Sequence, residues 1–174
     1  MAHAICLKAN NPSCEPISAL WTEFGRFEPD PSMAALNYPP HLTLAIYDSI
    51  DEHLLHGAAQ SVSAIQQQPI KLRFSRVAFF EQPKLVFWAA PDRSEPLWRA
   101  HQEIHRHIKP SLCRDHYQPG TWVPHCTLAT EVHGAERQNA IAFARAPFEP
   151  FEVIFDTIDC VQFPPVRVTE ELRF

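Results

Sequence analysis

Glycine is scarce in this chain: only four stand against seventeen prolines in 174 residues. Connections are therefore expected to be stiff and extended, and no low-complexity tract is long enough to make a disordered linker. Long apolar runs are missing too. Nowhere do eighteen apolar residues follow one another, which excludes a transmembrane helix, and Met1 to Lys8 lacks a basic region ahead of a long apolar one. The expectation is a cytoplasmic protein without a secretory signal and with no membrane association. The five cysteines (Cys6, Cys14, Cys113, Cys126, Cys160) are odd in number, scattered and never spaced Cys-x-x-Cys. That pattern argues for reduced thiols and against a disulfide or zinc framework. Positive charge is in deficit, with a net formal charge of −5, which argues against a broad surface for long nucleic acid while leaving room for a local phosphate pocket.

What is present is a repeated stretch. Pro40-His41-Leu42-Thr43-Leu44-Ala45 returns as Pro124-His125-Cys126-Thr127-Leu128-Ala129. About 0.03 copies of His-x-Thr-Leu are expected by chance at this composition, so two copies point to an internal duplication. Side chains alternate along a strand. His41, Thr43 and Ala45 are thus expected on one face, with Leu42, Leu44 and Ile46 on the other. His125 and Thr127 likewise face away from Cys126 and Leu128.

Around these stretches, periodicity predicts a strand at 3–9, a helix from Ile17 to Phe24, and a proline-rich loop over 28–40. A helix over 51–67 and two β-rich runs at 70–80 and 84–90, turned by 81–84, follow. Then come a helix over 95–108, a loop over 111–120, and the second motif strand over 121–132. A helix over 134–145 and strands at 148–163 and 166–174 complete the chain. Residues 1–174 are read as a single α+β domain in which two small antiparallel sheets face one another with helices outside.

With its two His-x-Thr-Leu motifs and this order of elements, the chain resembles the 2H phosphoesterase superfamily, whose branches include 2′-5′ RNA ligase-like proteins and cyclic phosphodiesterases. The resemblance implies two intimately joined pseudo-symmetric lobes around a V-shaped cleft, with both motif strands at its floor. It also implies that His41, His125, Thr43 and Thr127 act on 2′,3′-cyclic phosphodiester ends of RNA or small nucleotides, with no cofactor, in a monomer.

The chemistry stands independently of the family. Opening a cyclic phosphodiester needs a proton accepted from water and another donated to the departing ribose oxygen. Imidazole titrates near neutrality, so one ring can be base while the other is acid. The threonine hydroxyls would stabilise charge on the phosphate oxygens. A non-catalytic nucleotide-binding module using the same cleft is the alternative. Tyr117, Phe80, Trp88 and Trp122 are candidate stacking partners for a base or ribose, against the plainer reading of core aromatics. Lys84 and Arg93 are candidate phosphate contacts. His101 and His105 are spaced i, i+4 as zinc ligands can be, but the stretch is not His-Glu-x-x-His and offers no third ligand, so no metal is expected. Cys126 is expected to be a core residue and not a nucleophile.

Overall fold

The computed structural model describes residues 1–81 and 84–174. Among these, the chain runs β1 (Ala2–Lys8), α1 (Glu15–Gly25), a short α2 (Ser32–Ala35), β2 (His41–Tyr47), α3 (Glu52–Ile65), β3 (Ile70–Phe80) and β4 (Val86–Pro91). It continues through α4 (Glu95–His107), β5 (Cys126–Ala129), α5 (Glu136–Ala144), β6 (Phe151–Phe155), β7 (Thr157–Phe163) and β8 (Arg167–Arg173). Local chemistry explains the helix starts. Asp51 caps α3 by accepting from the His53 amide, Ser94 caps α4 by accepting from Leu97, and Pro96 occupies the first turn of α4, where no donor is needed.

The strands form two antiparallel sheets, ordered β2-β1-β7-β8 and β5-β4-β3-β6. Each motif strand is an edge strand, and the two orders correspond if β1, β2 and β7 are matched to β4, β5 and β3. The duplication is therefore interlocked. The strand that follows the first motif, β3, crosses to pair with β4, while β7, after the second motif, crosses back to pair with β1. Helices are exchanged as well: α1 packs on β5 and α4 packs on β2. One continuous hydrophobic cluster joins both sheets, including Ile5, Leu7, Leu42 and Leu44 from one and Leu72, Phe74, Phe87 and Leu128 from the other.

Each motif also carries a β-bulge at its leucine. Cys6 pairs with Thr43 and Ile5 with Ala45, leaving Leu44 as the extra residue; Trp88 pairs with Thr127 and Phe87 with Ala129, leaving Leu128 extra. This corrects the simple alternation expected for the first motif. Beyond the bulge the faces exchange, so Ala45 joins Leu42 and Leu44 in the main core. Ile46 turns to the opposite face, beside Ala4, Cys6, Tyr38 and Val161.

Three further boundaries differ from the sequence-based expectation. The run 148–163 is two strands, because Asp156 separates β6 in one sheet from β7 in the other. The second motif strand shrinks to Cys126–Ala129, with His125 just ahead of it, and the loop over 28–40 contains α2. The turn expected at 81–84 falls partly on Gln82 and Pro83, which lie outside the described residues.

Candidate active site

The two motif histidines are held in the same way. His41 Nδ1 lies 2.9 Å from the Pro39 carbonyl and His125 Nδ1 lies 2.7 Å from the Val123 carbonyl, in each case two residues back along the chain. A carbonyl only accepts, so Nδ1 of each ring carries the proton. Among the described residues Nε2 of neither ring makes a hydrogen bond, which leaves it open. Both rings are half-buried. Burial pulls His41 down to about 4, opposed by the Pro39 carbonyl and reinforced by the neighbouring His125. Burial lowers His125 as well, against the Val123 carbonyl. The edge strands β2 and β5 touch one another, and the electrostatic influence of His125 on His41 follows from that adjacency.

The threonines between these rings and the core are positioned through their backbones. The Trp122 indole donates to the Thr43 carbonyl at 3.1 Å, and the Trp21 indole donates to the Thr127 carbonyl at 2.9 Å. Both carbonyls stand at the bulges, where the ladder is interrupted, and each indole comes from the other repeat. Thr43 Oγ1 is also 3.6 Å from the Cys6 sulfur. Burial pushes the Cys6 thiol up to about 12, so it stays protonated and can donate to Thr43 Oγ1, leaving the hydroxyl proton for another acceptor. Cys126 is fully buried and its thiol is likewise pushed up to about 12, as a core residue's would be.

A cavity of about 510 Å³ opens over the second motif, lined by His125 and Thr127 together with Phe80, Tyr117, Lys84 and Arg114, among others. The structure thus brings five of the sequence candidates, Phe80, Tyr117, Lys84, His125 and Thr127, to one hollow. Phe80 meets the His125 ring edge-on at 5.5 Å. Trp88 lies behind it, buried, stacked on Phe80 at 4.9 Å and 5.8 Å from His125, with an indole N–H that has no acceptor among the described residues. Trp122 is elsewhere: buried beneath β2 and stacked flat on His101 at 4.0 Å, it serves the strand and offers no face to a ligand. Arg93 is elsewhere too. It lines a separate groove of about 620 Å³ with Asp92, Glu95 and Trp98, which meets the motif only at Pro124.

Sequence reasoning missed Arg114, His116, Thr121 and Val123, all of which line the cavity. They lie in a loop without periodicity, and only its position ahead of the second motif hinted at them. His101 and His105 are both engaged elsewhere. His101 is buried on the inner face of α4, and Nε2 of both His101 and His105 donates to the Tyr117 carbonyl, at 2.9 and 3.0 Å. Both nitrogens are thereby committed to the backbone. Among the described residues, one trio of side chains of metal-ligating type, His56, Cys160 and Glu170, has donor atoms within 4.8 Å of one another, on α3, β7 and β8 and away from this cavity.

The family model described as the 2′-5′ RNA ligase superfamily matches residues 11–164, nearly the whole chain and both motifs. The chain belongs to the 2′-5′ RNA ligase superfamily. Solved structures similar to this superfamily member include TT0787 of Thermus thermophilus, at 17% identity and a TM-score of 0.63 over 99% of this chain and 97% of that one. Escherichia coli LigT is similar at 14% identity and a TM-score of 0.63, over 99% and 98% of the two chains. Usb1 of Kluyveromyces marxianus is similar at 11% identity and a TM-score of 0.52, over 99% and 98%. At these identities the likeness is one of fold, and it covers both lobes. No curated protein sequence matches the chain. No described helix of this superfamily member is long and apolar enough to cross a membrane.

Proposed function

We propose that this protein is a metal-independent 2H-type phosphoesterase that opens 2′,3′-cyclic phosphodiester ends of RNA or small nucleotides, acting as a cytoplasmic monomer folded as one domain over 1–174. The observation that carries this reading is the matched tethering of His41 and His125, each with Nδ1–H spent on the carbonyl two residues back and Nε2 open. Binding alone requires neither an acid nor a base. Water attacks phosphorus while one Nε2 takes its proton, and the other ring, as imidazolium, gives its Nε2 proton to the departing ribose oxygen. The P–O bond to that oxygen breaks and a ribose phosphomonoester remains. Thr43 and Thr127 donate to the non-bridging oxygens as their charge grows. An RNA 5′-hydroxyl in place of water would run the site as a ligase. Nucleotide-sized ligands suit the fold, since LigT forms complexes with ATP, NADP+, 3′-AMP and phosphate.

Incubating the protein with 2′,3′-cyclic nucleotides in the presence of a chelator tests the proposal. Turnover insensitive to chelator is the expected result. Chelator-sensitive turnover would replace the paired-imidazole scheme with metal chemistry, and ligand bound but unchanged would identify a binding module.

The depressed histidines set the pH dependence. The free enzyme needs one ring protonated and one neutral, a state lost below the lower pKa, where both are charged, and above the higher, where neither is. Because burial lowers both, with His41 at about 4, kcat/KM should follow a bell centred below pH 6.5. The bound phosphate anion favours imidazolium, so the bell for kcat should lie at higher pH than that for kcat/KM. Parallel pH–rate profiles check this, and coincident bells centred above pH 7 would contradict it.

A further inference from the structure

The loop between α4 and β5 is more tightly built than its lack of regular structure implies. Its start is pinned where the Arg114 amide donates to the Ile46 carbonyl at 2.9 Å, next to the first motif strand. Its middle is pinned at the Tyr117 carbonyl, which accepts from both His101 and His105 of α4. Burial is the main cause lowering both imidazoles, His101 to about 4, so near neutrality both remain uncharged donors and the clamp persists. Within the loop, Gln118 Nε2 donates to the Cys113 carbonyl at 2.9 Å, and the Thr121 hydroxyl lies within reach of the Asp115 and Gln118 carbonyls. Its end is pinned by the Trp122 indole on Thr43. Such a loop presents its outward side chains in fixed positions, which lowers the ordering cost of binding.

Those side chains are Arg114, His116 and Tyr117. With Lys84 from the opposite wall they line the cavity that holds His125 and Thr127, and among the described residues no carboxylate lines it. One hollow thus carries a guanidinium, an ammonium and an imidazole among its lining side chains. Arg114 is braced by Asp48 and Lys84 by Glu131 at 3.1 Å, both exposed pairs. Exposed pairs of this kind contribute little and yield readily to a phosphate, which an arginine fork grips through two parallel hydrogen bonds. At about 510 Å³ the cavity is of the size that encloses a whole small ligand, so it has room beyond the reacting cyclic phosphate.

We propose that Arg114, His116 and Lys84 form a second anion subsite, so that the preferred substrate carries another phosphate besides the cyclic one. This deepens the phosphoesterase reading and rests on it. The second phosphate has two sources, a 5′-phosphate on the same nucleoside or the diester linking it to a preceding nucleotide.

Three substrates distinguish them: adenosine 2′,3′-cyclic phosphate, its 5′-phosphorylated form, and the dinucleotide ApA ending in a 2′,3′-cyclic phosphate. One or both of the latter should exceed the first in kcat/KM by on the order of 10- to 100-fold, expressed mainly in KM, as a charge-assisted contact gives. The advantage should shrink with added salt. In Arg114→Ala, and less completely in His116→Ala, the ratio between the substrates should fall toward one; both positions are exposed, and an unchanged thermal midpoint confirms folding. A ratio near one in the unaltered protein, or a ratio that survives both substitutions, would overturn the subsite while leaving the phosphoesterase reading intact. If none of the three is turned over, that reading fails instead. The subsite is then decided by calorimetric titration with adenosine 2′,5′-bisphosphate against 2′-AMP: equal affinities would sink it, and a preference for the bisphosphate that Arg114→Ala abolishes would uphold it.

Discussion

Replacing either His41 or His125 by alanine is expected to cost about 10²–10⁴-fold in kcat on a 2′,3′-cyclic nucleotide, the range for loss of one positioned acid or base. The double variant should be much less impaired than the product of the two losses, because rings that serve one concerted proton exchange fail together. Thr43→Ala and Thr127→Ala delete one donor each to the developing charge and should cost about 10²–10³-fold at most. The fold should survive all four changes, since these side chains are half-buried and the strands are anchored elsewhere, by the two indoles and the leucine-lined core. Near-normal turnover in His125→Ala would end the two-histidine scheme.

The largest expected effect on stability belongs to Asp159. This carboxylate is fully buried, accepts from the Tyr38 hydroxyl at 2.8 Å and pairs with Lys8 Nζ at 2.7 Å; Lys8, nearly buried, reaches Glu171 as well. Asp159→Ala should destabilise the protein by about 3–5 kcal/mol in denaturant unfolding, because it leaves Lys8 and the Tyr38 hydroxyl undercompensated inside the protein. Glu171→Gln should cost about 1 kcal/mol or less, because Glu171 is largely solvated and Lys8 keeps Asp159. Replacing both partners by apolar residues, as in Lys8→Met with Asp159→Leu, should recover much of the loss. A full cost in Glu171→Gln and none in Asp159→Ala would contradict this division. The same network reaches the site: the Tyr38 ring stands edge-on to His41 at 4.8 Å, so Asp159→Ala should also lower turnover.

Much of the candidate site was legible because the motifs are local. Pro-His-x-Thr-Leu fixes which side chains share a face over three residues, and repetition supplies the second copy without any knowledge of the fold. Tyr117 and Phe80 were within reach of sequence reasoning, the first as an aromatic in the loop ahead of the second motif and the second as an aromatic at the end of β3. Trp122 and Trp88 were not separable from them on sequence. An indole donating to a strand carbonyl and an indole stacked behind a ring have the same local pattern, and only burial and hydrogen bonding distinguish them. Arg114 and His116 escaped for a different reason. Their loop has no period, and its shape is set by side-chain bonds from α4 that no window of neighbouring residues contains.

By itself, the sequence determined that two equivalent stretches each carry a histidine and a threonine two residues apart, and that strands and helices alternate in two halves. These are consequences of side-chain alternation and periodicity, which act between near neighbours. Tertiary structure alone decided that the halves interlock, with β3 and β7 each crossing to the other repeat's sheet, α1 beneath β5 and α4 beneath β2. It also decided that a bulge at Leu44 and Leu128 opens a carbonyl for an indole from the opposite repeat. Such pairings join residues 79 and 106 positions apart; what selects them is burial of apolar faces and satisfaction of backbone groups across the whole chain, for which the local sequence carries no mark.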